Sequence, residues 1–129
     1  MRVIFTIALC FLFCSVFLSQ VPPSQTIRVN GIASYYAHKF NGRKTSSGEK
    51  FSNDSLTAAH KNYKFGTYVL VRNLKNDSIV KVKINDRLPQ NSKRSIDLSV
   101  RAAKQLNFIR AGLAKVEITV LDSLNNLYE

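Results

Sequence analysis

The sequence predicts a mainly β fold, a small closed or nearly closed barrel, on three observations. Apolar and polar residues alternate over several short runs, at residues 27–36, 67–74, 80–84 and 113–121. Only one stretch, from Ser99 to about Leu106, has helical spacing, with Val100, Ala103 and Leu106 on one side. Strands and helices do not alternate, so a doubly wound parallel sheet is excluded and the short strands are expected to close on one another.

The domain is bounded by what precedes it. The chain has 129 residues and a formal charge of +11. Residues 3–18 form a nearly unbroken apolar run behind Arg2, a positive n-region and an h-region too short for a span of about 20 residues. This reads as a secretory signal peptide, cleaved between residues 19 and 25, with an uncleaved anchor as the alternative because no small-x-small site is visible. The expected division is a signal and Pro22-Pro23 spacer over 1–24, a barrel domain over 25–122 and a polar tail over 123–129. Export across the inner membrane to the periplasm or cell envelope follows. Cys10 and Cys14 both lie in the signal, leaving the domain no disulfide and no thiol nucleophile. Leu9 and Phe13 precede them where lipidation needs a small residue. The basic charge suits an anionic polymer or membrane setting; for an exported chain nucleic acid is not the expected partner.

Taken in order, residues 27–36 form a first strand, with Gly31 as a bulge or point of close approach. Residues 38–50 are a polar loop turning at Gly42 and Gly48, and the chain returns to apolar character by Leu56-Thr57-Ala58-Ala59-His60. Two β-rich runs joined by Lys75-Asn76-Asp77-Ser78 predict a hairpin. Its second strand places Val80, Val82 and Ile84 on one face and Lys81 and Lys83 on the other, and is expected to stop at Asn85-Asp86-Arg87, ahead of Pro89. Ser99 is an N-cap, and Val116, Ile118 and Val120 face inward in the last strand.

Candidate chemistry starts from Asp86. An acid at the end of a core-anchored strand has a fixed position, which general acid catalysis needs, although Asn-Asp-Arg alone also reads as a turn. Glu49 alone reads as a solvated loop carboxylate, His60 as a satisfied half-buried histidine, and Asp97 as a residue favoured at the start of a helix. His38 and His60 have no metal-ligand spacing, and no nucleophile elbow surrounds the serines, so neither a metal nor any other cofactor is expected.

Together the motifs have an order. Gly31-x-Ala33-Ser34-Tyr35-Tyr36, Thr45-Ser46-Ser47-Gly48-Glu49-Lys50-Phe51, Leu56-Thr57-Ala58-Ala59-His60, Phe65-Gly66-Thr67, Val82-x-Ile84-Asn85-Asp86-Arg87-x-Pro89 and Ile96-Asp97-Leu98-Ser99 resemble the rare lipoprotein A-like (RlpA-like) family across residues 30–121. The resemblance implies a six-stranded double-psi β-barrel, related to expansin and barwin-like domains, with one or two short helices. It implies an endolytic lytic transglycosylase that cleaves the MurNAc–GlcNAc bond of peptidoglycan glycan strands. Asp86 is then the acid, protonated in a partly dry groove, with Glu49 and His60 supporting it through hydrogen bonds. Tyr35 and Tyr36 match an aromatic pair flanking the glycan, and Asn85 and Arg87 complete the substrate-binding set. The expected state is a monomer, touching a membrane only through an uncleaved signal.

Two departures stand out. Leu88 replaces the glycine that usually follows Asn-Asp-Arg, which could reshape the groove floor, and Tyr35 replaces the usual tryptophan. The alternatives are a non-catalytic expansin-like wall-binding module, a barwin-like interaction domain, and a conventional hydrolase pairing Glu49 with Asp86.

Overall fold

A computed structural model describes residues 26–121; the signal segment and the 123–129 tail expected from the sequence lie outside the described residues. Six strands close into a barrel: β1 Arg28–Tyr35, β2 Thr57–His60, β3 Tyr68–Asn73, β4 Ile79–Arg87, β5 Ile96–Leu98 and β6 Ala114–Val120, in the order β1-β5-β2-β4-β3-β6. β1/β5 and β2/β4 pair in parallel and the other neighbours antiparallel. Closure leaves no edge, so every strand buries one face inward.

The interior is filled by the inward half of each alternation. Val69 and Val71 of β3, Val80, Val82 and Ile84 of β4, and Val116 and Ile118 of β6 are almost wholly buried. Each such side chain is worth about 1.5–3 kcal/mol relative to exposure. The helix α1, Val100–Gln105, covers one end with Ala102 and Ala103, followed by Leu106 and Phe108. Ser99 caps it as expected, its hydroxyl accepting the Ala102 N–H at 3.3 Å. The only other helical element described is the 3-10 turn His38–Phe40.

Gly31 is a point of close approach. A Cβ there would lie 2.1 Å from Ser95 Oγ and 2.6 Å from Ser95 Cβ, so the side chain is excluded by the chain entering β5.

Two local expectations are corrected. β4 does not stop at Asn-Asp-Arg but continues to Arg87, because β2 pairs with it in parallel through His60↔Arg87. A register shift between Ala58 and Ala59, opposite Ile84 and Asp86, leaves Asn85 as the extra residue, and Pro89 ends the strand two residues later. Asp97 is not a helix-start residue. It is the middle of β5, hydrogen-bonded between two strands, and Ser99 alone does the capping.

Candidate active site

Cross-strand register decides which polar residues share a surface. Ser34 of β1 pairs with Asp97 of β5, Asp97 with Ala59 of β2, and Ala59 with Asp86 of β4. These four lie in one row on one face of the sheet, with the small Ala59 between the two acids. Ser34, Asp97 and Asp86 of this row line the floor of a groove of about 510 Å³ whose walls include Tyr36, Phe40, Leu88 and Arg94.

Asp86 sits at one end. Its carboxylate accepts the Tyr36 hydroxyl at 2.5 Å and the backbone N–H groups of Ser46 and Arg87 at 2.9 Å each. Ser46 arrives on the polar loop, which docks on β4 again through Ser47 N–H to the Asn85 carbonyl at 3.2 Å. Partial burial works to raise the Asp86 pKa, but the Tyr36 hydroxyl, the two N–H groups and the Ser46 hydroxyl outweigh it and hold the carboxyl below its ordinary value. The uncovered groove therefore presents an ionised Asp86, not the protonated acid expected. Tyr36 in turn is kept neutral: burial, then its bond to Asp86, push the phenol well above its usual range.

The aromatic pair divides. Tyr36 stacks on Phe51 at 4.3 Å between ring centroids and meets Phe40 edge-on at 5.9 Å, forming the groove wall. Tyr35 packs its ring against Phe108 and donates its hydroxyl to the Ile109 carbonyl at 2.7 Å. Alternation along β1 sends it towards the core side, so it anchors the wall more than it offers a free stacking face.

His60 and Arg87 pair with each other in the next row, on the opposite face from Asp86. Beyond them that row continues into the buried Ile96 and Ala33. The His60 ring stacks on Tyr63 at 3.7 Å, and Nδ1 accepts the N–H groups of Asn62 and Tyr63 at 3.2 and 3.1 Å. Burial, then the charges of Arg87 and Lys61, push its pKa down to about 4, so it is neutral at pH 7 with its proton on Nε2. Arg87 donates to the Tyr63 carbonyl at 2.7 Å and lies 4.0 Å over the Phe65 ring, directing its charge away from the Asp86 carboxyl.

Glu49 stands on the rim. Lys83 Nζ reaches it at 3.0 Å, and this bond leads in holding its pKa below the ordinary value. Asn85, buried in the bulge, approaches it with Nδ2 at 3.5 Å. The hydrogen bonds from Glu49 and His60 to Asp86 that the resemblance implied are thus not made: the polar loop holds Glu49 outside the groove, and strand alternation turns His60 to the other face. Leu88 needs no glycine conformation, having no positive φ; it is buried and contributes apolar wall.

Sequence reading did not bring Arg94, Ser34 or Ser46 to this site and gave Asp97 a helix-start role instead. Arg94 Nε and Nη2 grip the Asp97 carboxylate at 2.9 and 3.1 Å, and the Ser34 hydroxyl also donates to it. The signal available was Ser34 inside the first-strand motif and Asp97 inside Ile-Asp-Leu-Ser, but only their register brings them together.

A closed six-stranded barrel with this mixed pairing and an acid-floored groove across β1, β5, β2 and β4 defines the class, a double-psi β-barrel. The chain belongs to the lytic transglycolase family, which matches residues 28–118. It is 48% identical over 96 residues to the endolytic peptidoglycan transglycosylase RlpA of Haemophilus influenzae, covering 74% of this chain and 33% of that protein. Similar relatives are the probable endolytic peptidoglycan transglycosylase RlpA of Treponema pallidum, 48% identical over 76% of this chain and 31% of that protein, and RlpA of Campylobacter jejuni, 46% identical over 71% and 34%. The chain spans about a third of the length of these curated relatives. Among solved structures, the Clavibacter michiganensis expansin aligns with a TM-score of 0.60 at 18% identity, over 74% of this chain and 51% of that one. A Streptomyces papain inhibitor aligns at 0.61 and 19%, over 74% and 96%. At these identities the likeness establishes the shared barrel.

Proposed function

We propose that this domain is an endolytic peptidoglycan lytic transglycosylase, cleaving between N-acetylmuramic acid and N-acetylglucosamine and leaving a 1,6-anhydromuramyl end. The observation that carries the reading is Asp86, a carboxyl on a sugar-sized groove floor, bound by neutral donors and, among the described residues, by no cation. Membership of the lytic transglycolase family and the named activity of the RlpA relatives support it.

The chemistry follows from what a bound glycan changes. Covering the groove removes water and strengthens the one influence that raises the Asp86 pKa, so the acid takes up a proton as the substrate seats. Asp86 gives that proton to the glycosidic oxygen as the C1–O bond breaks and C1 becomes oxocarbenium-like. The resulting carboxylate accepts the proton of the muramyl 6-hydroxyl, whose oxygen closes on C1. No water is consumed, and Asp86 ends protonated. Tyr36 and the Ser46 and Arg87 N–H groups stabilise the carboxylate between the two transfers. Glu49 and Asn85 act at the glycan rim, and His60 supports the turn beneath the groove. The domain works outside the inner membrane, in the periplasm or envelope, as an exported monomer.

A second reading has its own observation. An ionised Asp86 can accept sugar hydroxyls without transferring a proton, as a wall-binding module requires. Mass spectrometry of purified sacculi digested with wild type and Asp86→Asn separates the two. Anhydromuramyl ends that vanish in the variant support the transglycosylase; reducing ends mark a hydrolase, and sacculus binding without products marks the binding module.

A further inference from the structure

Asp97 and Asp86 share one row with only Ala59 between them, and both line the groove. Two strand spacings put their backbones about 10 Å apart. Their partners differ in kind. Asp97 is gripped on both oxygens by the Arg94 guanidinium and further bonded by Ser34. Asp86 has the Tyr36 hydroxyl, the backbone N–H groups of Ser46 and Arg87 and the Ser46 hydroxyl, all of them neutral. A guanidinium fork fixes negative charge on a carboxylate, whereas neutral donors leave a carboxyl able to take a proton when its surroundings dry.

We infer that the Arg94–Asp97 ion pair tunes proton binding at Asp86 along the groove floor, the Asp97 carboxylate favouring and the Arg94 guanidinium opposing the proton that Asp86 binds once a glycan covers the floor. The inference deepens the transglycosylase reading and rests on it. Asp97 is here a positioning residue, acting through Asp86.

The other charged and titratable groups around Asp86 do not supply this field. Tyr36, just past β1, stays neutral. Arg87, on β4, borders the groove but directs its guanidinium to Tyr63 and Phe65, and His60, on β2, is neutral on the far face. Glu49, from the polar loop, is paired with Lys83, and Lys39, at the groove mouth, lies 5.2 Å over the Phe40 ring. Asp97, from β5, faces Asp86 along the floor with its charge partly offset by Arg94. Unit charges about 10 Å apart shift a pKa by about 0.3 unit in open water and by about one unit at the effective dielectric of a covered site. The coupling is therefore weak in the uncovered groove and grows as substrate seats.

The test compares wild type, Asp97→Asn and Arg94→Met by the pH dependence of kcat for anhydromuramyl release from sacculi. It is joined by ¹³C titration of the Asp86 carboxyl under saturating chitohexaose. The alkaline limb of kcat records loss of the Asp86 proton in the bound complex. It is expected to move about one pH unit lower in Asp97→Asn and to move higher in Arg94→Met, which removes the cation offsetting Asp97. The ¹³C midpoint follows in the same two directions. A merely structural role would depress activity in both variants without opposite displacements. Limb and midpoint unmoved, or moved the same way in both variants, overturn the inference while wild-type anhydromuramyl release leaves the reading intact. Wild type that binds chitohexaose but releases no anhydromuramyl ends overturns the reading, and the ¹³C midpoints still decide the inference. Arg94 is 44% exposed, so if Asp97→Asn fails to fold the Arg94 variant decides alone.

Discussion

Asp86 and His60 sit on neighbouring strands one residue out of register, and that single residue separates two environments. The Asp86 face is a groove in which neutral donors converge on a carboxylate that stays partly open to solvent. The His60 face is a packed turn in which an imidazole is buried against a tyrosine ring and made neutral. Donors in the first lower a pKa and keep a charge; burial in the second lowers a pKa and removes one. The lesson is that the same direction of shift keeps a charge on the carboxyl proposed as the acid on one face and removes one from a packed imidazole on the other.

The comparison breaks most readily at Asp86. Asp86→Asn keeps the shape and the backbone donors' partner but cannot carry the proton, so anhydromuramyl release should fall by about 10²–10⁴-fold with the melting temperature little changed. Product analysis beside thermal unfolding checks both halves.

At His60 the expected effect is on stability and its pH dependence. The folded pKa of about 4 lies below the unfolded value near 6.5, so the unfolded chain binds the proton first. The stability this represents is present above about pH 6.5 and is lost as pH falls towards 4, by up to about 3 kcal/mol. Thermal melts of wild type and His60→Phe at pH 7 and pH 4.5 should show a smaller drop in the variant; equal drops would place the acid sensitivity elsewhere.

Tyr36→Phe sharpens the donor side. It retains the ring against Phe51 and removes the hydroxyl that leads in stabilising ionised Asp86, so the Asp86 pKa should rise. A tenfold change in kcat, about 1.4 kcal/mol, with the alkaline limb displaced to higher pH is the expected result. Unchanged limbs would assign Tyr36 to packing alone. The smallest effect belongs to Glu49→Gln. Its ion pair with Lys83 is half exposed, so unfolding free energy should change by less than about 1 kcal/mol. Kinetically KM should rise more than kcat falls, as suits a rim contact; a kcat loss matching that of Asp86→Asn would bring Glu49 into the chemistry.

Much of the fold was legible in the chain. Period-two alternation located β3, β4 and β6 and the hairpin between the first two, Ser99 announced the helix, and Gly31 marked a close approach. β5 was not legible, because three residues are too few to show a period and it exists by pairing on both sides. The site was half legible. Asp86 and Tyr36 stood out in the sequence and do meet, whereas Asp97 was given a local role at a helix terminus that its sheet pairing denies it.

What the sequence alone determined is each element's inward and outward faces, its caps and its turns, since these depend on neighbours one to four residues away. It also carried the family pattern that singles out Asp86. Tertiary structure alone decided which outward residues share a surface. Residues 34, 97, 59 and 86 come into one row only through barrel closure, and the extra residue at Asn85 puts Asp86 in that row and His60 on the opposite face. A side-chain period of two makes a one-residue slip reverse a face, and no local pattern records where such a slip falls between strands distant in the chain.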